Sequence, residues 1–217
     1  MALDTPLDPL EARLFGVLIE KALTTPDQYP LSVNAATNGA NQKANRDPVL
    51  ALEMPDVEDA LERLVRRALA RKVYPGNSRV EKYVHNGKDA LGLDAAGLAV
   101  LAELLMRGPQ SPGELRGRAG RMVAIDSLEQ LADILAALID RGFVQRLAPS
   151  PGSRAERYVQ LLSPGLHPLE PATTAYAGTV VAPAPAPPSE LATRVAALEE
   201  AVRALRETVQ QLAARLS

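Results

Sequence analysis

Ser78-Arg79-Val80-Glu81-Lys82-Tyr83-Val84 and Ser153-Arg154-Ala155-Glu156-Arg157-Tyr158-Val159 are one phrase written twice in a 217-residue chain, 75 positions apart. The agreement spans charge, aromatic and turn-proximal positions together. The helical stretches ahead of the two phrases also align, at an offset of 74, which sets Leu61 against Leu135 and Leu64 against Leu138. Two generic amphipathic helices would not share so many kinds of position. The chain therefore carries an internal repeat.

Working outward from the first phrase, Lys72-Val73-Tyr74 and Val80–Val84 alternate as strands around the turn Pro75-Gly76-Asn77-Ser78, which reads as a β-hairpin. Ahead of it, a helix is expected from Pro55 to Arg71, with Val57, Leu61, Leu64, Val65 and Ala68 on its inner stripe. A poorer helix is expected over 32–40. A strong one opens at Asp8-Pro9-Leu10-Glu11, where Asp8 caps, Pro9 suits the first turn and Glu11 completes a capping box. The second copy has the same order. A helix follows Asp94, a short one follows Ser111-Pro112-Gly113-Glu114, and a third runs over 127–142; strands then fall at Phe143–Leu147 and Arg157–Leu161. Three helices followed by a hairpin is the winged-helix order. The expected fold class is α+β, with tandem winged-helix domains over 1–90 and 91–162.

Beyond the repeats, residues 163–189 hold seven prolines and read as a semi-extended linker. Over 190–217, Leu191, Val195, Leu198, Val202, Leu205, Val209 and Leu212 recur at alternating spacings of four and three. Val at a and Leu at d is the pattern of a parallel two-stranded coiled coil, so a homodimer is the expectation. The competing reading folds this helix back onto its own chain.

Composition narrows the chemistry. There is no cysteine, which removes disulfides, thiolate metal sites and cysteine nucleophiles, and suits a reducing, cytoplasmic setting. No signal segment or membrane span is legible, so no membrane association is expected. The formal net charge is −2, without the basic excess typical of a strong nucleic-acid binder. His85 and His167 lack companions at metal-ligand spacing, and no phosphate-loop or dinucleotide fingerprint is present. No metal, cofactor or catalytic set is expected.

One stretch belongs to the first copy alone: Asn38-Gly39-Ala40-Asn41-Gln42-Lys43-Ala44-Asn45-Arg46-Asp47-Pro48. Its amides suit a recognition or interaction loop built on Asn38, Asn41, Gln42, Lys43, Asn45 and Arg46. They equally suit bracing of an ordered loop. The wider segment, PLSVNAATNGANQKANRDP over 30–48, resembles the bacterial YceH-like family, and the following helix and SRVEKY extend the resemblance to about residues 8–162. It implies tandem winged-helix domains in a cytoplasmic bacterial protein, and no settled activity.

DNA binding by a dimer is the leading functional expectation, with Arg79, Lys82, Arg154 and Arg157 touching phosphates. Double-stranded DNA is then the partner. Against it stand the acidic starts of the two presumed groove helices, Asp56, Glu58, Asp59 and Glu62 in one and Asp126, Glu129 and Asp133 in the other. The alternative is an intracellular protein-interaction module that does not read DNA, its protein partner unidentified.

Overall fold

The computed structural model describes residues 5–76, 80–149 and 155–167. Of the expected linker only residues 163–167 are described, and there Ser163, Leu166 and His167 are buried against the fold and not extended away from it. Its remainder and the 190–217 heptads lie outside the described residues, as do Arg79 and Arg154. What is described is mixed α and β, with seven α-helices and two antiparallel hairpins among these residues.

Helix α1 (Pro9–Thr24) starts as its sequence dictates. The Asp8 carboxylate accepts from the backbone N–H of Leu10 and Glu11, both at 2.8 Å, and the Glu11 carboxylate accepts from the Asp8 N–H at 2.9 Å. Helix α2 (Val33–Ala40) is capped by Ser32. Helix α3 (Met54–Arg66) follows the Asn-rich loop. Strand β1 (Ala70–Val73) pairs with β2 (Lys82–His85), setting Ala70 opposite His85 and Val73 opposite Lys82. After the short α4 (Gly87–Leu91), the second copy runs as α5 (Ala95–Arg107), α6 (Pro112–Ala119), α7 (Leu128–Asp140), β3 (Val144–Leu147) and β4 (Arg157–Gln160). Each hairpin gains a third, single-residue partner on the tyrosine at the matching repeat position: Leu31 bridges Tyr83, and Gln110 bridges Tyr158.

Several boundaries depart from expectation: β2 spans Lys82–His85 and not Val80–Val84, α7 ends at Asp140, short of 142, and the end of α3 moves furthest. Helix α3 ends at Arg66, not Arg71, because Ala68 turns left-handed (φ 56°) and the Leu69 N–H closes onto the Leu64 carbonyl at 3.0 Å. The strand expected from Lys72 therefore begins at Ala70. The second copy makes the same stop with Gly142 (φ 72°) and the bond from Phe143 N–H to the Leu138 carbonyl. At the repeat offset of 74, Ala68 falls on Gly142.

The two copies share one apolar core. Every residue from Glu11 to Glu20 is buried, as is every residue from Gly97 to Met106, because α1 and α5 lie against each other as well as against their own partners. Gly16 allows that approach: a Cβ there would stand 3.1 Å from Met106 Cγ and 3.3 Å from Leu105 Cβ. The first helices of the repeats thus face inward. This packing brings the Asn-rich loop of the first copy beside α5, α6 and β4 of the second.

Candidate nucleic-acid interface

Much of the Asn-rich segment is turned to internal bracing. The Asn41 amide donates to the Leu52 carbonyl at 2.9 Å and accepts from the Leu52 N–H at 2.8 Å, closing the loop at its base. Asn45 adopts a left-handed backbone (φ 63°), and its side-chain oxygen accepts from Arg107. Arg46 is buried: its Nε donates to the Gly39 carbonyl at 3.0 Å, its Nη1 to the Asn45 carbonyl at 2.8 Å, and its Nη2 to the Glu20 carboxylate at 2.6 Å. Burial pushes the Glu20 carboxyl up, but its bonds to Arg46 and the charges of Arg46 and Lys21 outweigh this and hold it below the ordinary range. Arg13 reaches the loop from α1 and donates to the Pro48 carbonyl at 2.8 Å; burial first, and repulsion from Arg46 second, lower it to about 10. Of the remaining loop residues, Asn38 and Lys43 are exposed and Gln42 is half-buried.

The loop is also pinned from the second copy and from the residues that follow it. The Asp47 N–H donates to the Met106 carbonyl at 2.8 Å, and the His167 imidazole Nε2 donates to the Asp47 carbonyl at 2.6 Å. Burial keeps the His167 pKa below its usual value, so the ring is neutral near pH 7.

Many of the wing-side cations are spent inside the fold. Arg63 pairs with Asp8 and Glu11, Arg67 pairs with Glu11 and donates to the Thr5 and Pro6 carbonyls, and Lys72 pairs with Glu62 and Glu81. Arg146 pairs with Glu156 at 2.6 Å. Lys82 sits at the start of β2, on the other hairpin from Arg157.

What the structure does assemble is a polar cleft of about 450 Å³ between the copies, lined by Lys43, Asn45, Arg46, Asp47, Arg107, Pro109, Gln110, Glu114, Arg118 and Arg157. It joins three residues of the expected recognition loop to one of the expected wing contacts. Asn38, Asn41, Gln42 and Lys82 do not line it. Five cations face two carboxylates across this opening. Arg157 donates to the Pro109 carbonyl at 2.6 Å and Arg118 to the Gln110 side-chain oxygen at 2.7 Å. Beneath them lies Glu103, fully buried, 2.8 Å from Arg107 Nε and 3.5 Å from Arg121. Burial raises the Glu103 pKa, and the charges of Arg107, Arg121 and Arg118 oppose that rise. Arg107 and Arg118 lie in the last turns of their helices, where a cation reads as a partner of the helix dipole. The packing of α6 on α5 gives them Glu103 as a common neighbour.

Residues 7–153 match the family described as "Protein of unknown function, DUF480". The chain is 42% identical to a UPF0502 protein of Aeromonas hydrophila over 216 residues, covering 97% of this chain and 96% of that one. It is 43% identical to a UPF0502 protein of Hahella chejuensis over 209 residues, 93% and 94% of the two chains. A UPF0502 protein of Geotalea uraniireducens is 48% identical over 159 residues, 72% of each.

Proposed function

We propose a function on the premise that this chain belongs to the DUF480 family: it is a tandem winged-helix protein that associates with double-stranded DNA, as a dimer, through the backbone phosphates. The observation that carries this reading is the convergence of Lys43 from the first copy with Arg107, Arg118 and Arg157 from the second on one cleft. Arg116 and Arg121, both exposed on and just beyond α6, extend the positive surface outward. Phosphate contacts dominate DNA affinity and carry no sequence information, so such a surface supports association with many duplexes. The acidic starts of α3 and α7 argue against insertion of either helix into a groove. The heptads over 191–212 support dimer formation, which doubles the number of contacts. Sedimentation of the full chain should show a dimer that Val202→Asp converts to monomer; a wild-type monomer would remove that part of the reading.

Fluorescence anisotropy with a labelled duplex across a salt series tests the rest. Wild type should bind at low salt, with log K falling linearly in log salt. Lys43→Gln/Arg118→Gln/Arg157→Gln should reduce that slope by about 2–3, since each lost phosphate contact is worth roughly 0.9. An unchanged slope, or no binding at low salt, defeats the proposal.

A second reading has one observation in its favour. Helix α7 exposes Leu128 (52%) and Ile139 (38%) with Ala132 and Ala136 between them, beside Glu129, Asp133 and Asp140. An apolar stripe edged by carboxylates suits a protein partner better than a phosphate backbone. Nuclease-treated affinity capture that is lost on Leu128→Asp, with no duplex binding at low salt, would make this the better account.

A further inference from the structure

We infer that the cleft between the repeats is a seat for a single phosphate group, gripped by the guanidinium groups of Arg107, Arg118 and Arg157. The inference rests on the polyanion reading above and names the chemical group that the cleft takes.

The three arginines are tied to one stretch of four residues. Arg107 is its first member, Arg157 is bound to the carbonyl of Pro109, and Arg118 is bound to the side chain of Gln110. Gln110 is itself fixed: it is buried, its backbone is bridged to Tyr158, and its amide donates to the Glu103 carbonyl at 3.3 Å. The heads are thus held from below while donors remain to spare. A guanidinium has five N–H groups, and Arg157 gives one nitrogen to Pro109. Arg118 uses Nη1 on Gln110 and Nη2 on Glu114.

Charge points the same way. Burial lowers the Arg107 pKa; Glu103 opposes this, and repulsion from Arg118, Arg121 and Arg46 adds to it. Cations crowded this closely are relieved by an anion. Of the two lining acids, Glu114 accepts from the Ser111 N–H at 3.0 Å and the Ser111 hydroxyl at 2.9 Å, so its carboxylate is drawn to the start of its own helix. Asp47 is exposed and stays at the cleft wall. A planar fork can take two oxygens of a carboxylate or of a phosphate, but three forks at one opening suit a group with more oxygens and more charge than a lone carboxylate or chloride supplies, which a phosphate dianion has. The volume of about 450 Å³ is that of a compact ligand site, larger than one phosphate and small beside a duplex.

The phosphate has two sources, a DNA backbone or a free phosphate ester, and the test separates them. Inorganic pyrophosphate is titrated calorimetrically into the full-length protein, then into Arg118→Gln, Arg157→Gln and the control Arg146→Gln, whose native pairing lies with Glu156. Melting curves confirm that each variant is folded. Wild type and control should bind alike, and the two cleft variants should bind at least ~10-fold more weakly, the effect of losing one charge-assisted bond. Pyrophosphate that also displaces labelled duplex assigns the seat to the backbone and supports both readings. Pyrophosphate binding that the cleft variants abolish, with no duplex binding at any salt, keeps the seat, makes its ligand a free phosphate ester and ends the DNA reading. No heat with pyrophosphate, or equal heat in all variants, overturns the seat; duplex binding that persists then leaves the DNA reading standing on the outer cations.

Discussion

Arg46→Ala is expected to destabilise the protein by about 3–5 kcal/mol, the usual cost of removing one partner of a buried ion pair. The size of the effect comes from what is left behind. The Arg46 side chain has no exposed surface and Glu20 only 6%, and their closest approach is 2.6 Å. Without the guanidinium, the Glu20 carboxylate stays buried with Lys21 alone, at 3.5 Å, and the Gly39 carbonyl loses a donor. Chemical denaturation near neutral pH measures the loss as a lower midpoint at unchanged slope. The pH dependence gives a second, independent readout. In the wild type the Glu20 pKa lies below its unfolded value, so its contribution is present above the unfolded pKa and is lost as pH falls through the folded one. In the variant, burial, the largest influence on this carboxyl, is opposed only by Lys21, so the carboxyl should rise, the sign invert and stability be gained on acidification through that range. A double change, Glu20→Leu with Arg46→Leu, should recover most of the loss, because neither residue then buries an unpaired charge. Equal stability of Arg46→Ala and wild type would mean that the loop is not held by this pair.

The same residue shows what a sequence can and cannot disclose. That Asp8 caps α1 was legible, because the cap and its donors lie within three positions. So were the two hairpins and the helix order, since the repeat states them twice. The stop of α3 was hidden by the helix-forming letters of Arg67-Ala68-Leu69, although Gly142 at the matching position of the second copy carries the signal. The Asn-rich stretch offered two readings, and the letters could not divide its side chains between them. Asn41 and Arg46 find their partners 11 residues downstream and 26 upstream, and the pairing depends on where α1 lies. The cleft was less legible still. Lys43, Arg107, Arg118 and Arg157 belong to four separate segments, and nothing local relates them. The three arginines meet through the packing of α6 and β4 on the end of α5, and Lys43 joins them only because α1 and α5 pack together, which hangs on small residues such as Gly16.

Gly108→Ala is expected to cost about 3 kcal/mol or more, from two effects that can be separated. Gly108 caps α5 with φ 72° and ψ −151°, a region that residues with a Cβ rarely enter. Strain of that kind costs roughly 1–3 kcal/mol. In addition, the new Cβ would stand 2.6 Å from His167 Cδ2 and 2.9 Å from its Cγ, so the ring must leave. Moving the ring breaks its bond to the Asp47 carbonyl and frees one side of the loop that carries Lys43 and Asn45. His167→Ala removes that bond without strain. If the ring is what the Cβ meets, Gly108→Ala/His167→Ala should cost less than the two single changes together, since the clash is counted once. Strict additivity would show that the imidazole moves aside freely, leaving backbone strain as the whole effect. Below the melting temperature, duplex affinity should also fall in Gly108→Ala and in His167→Ala alike. Neither residue lines the cleft, so such a loss would come from the loop that their contact holds in place.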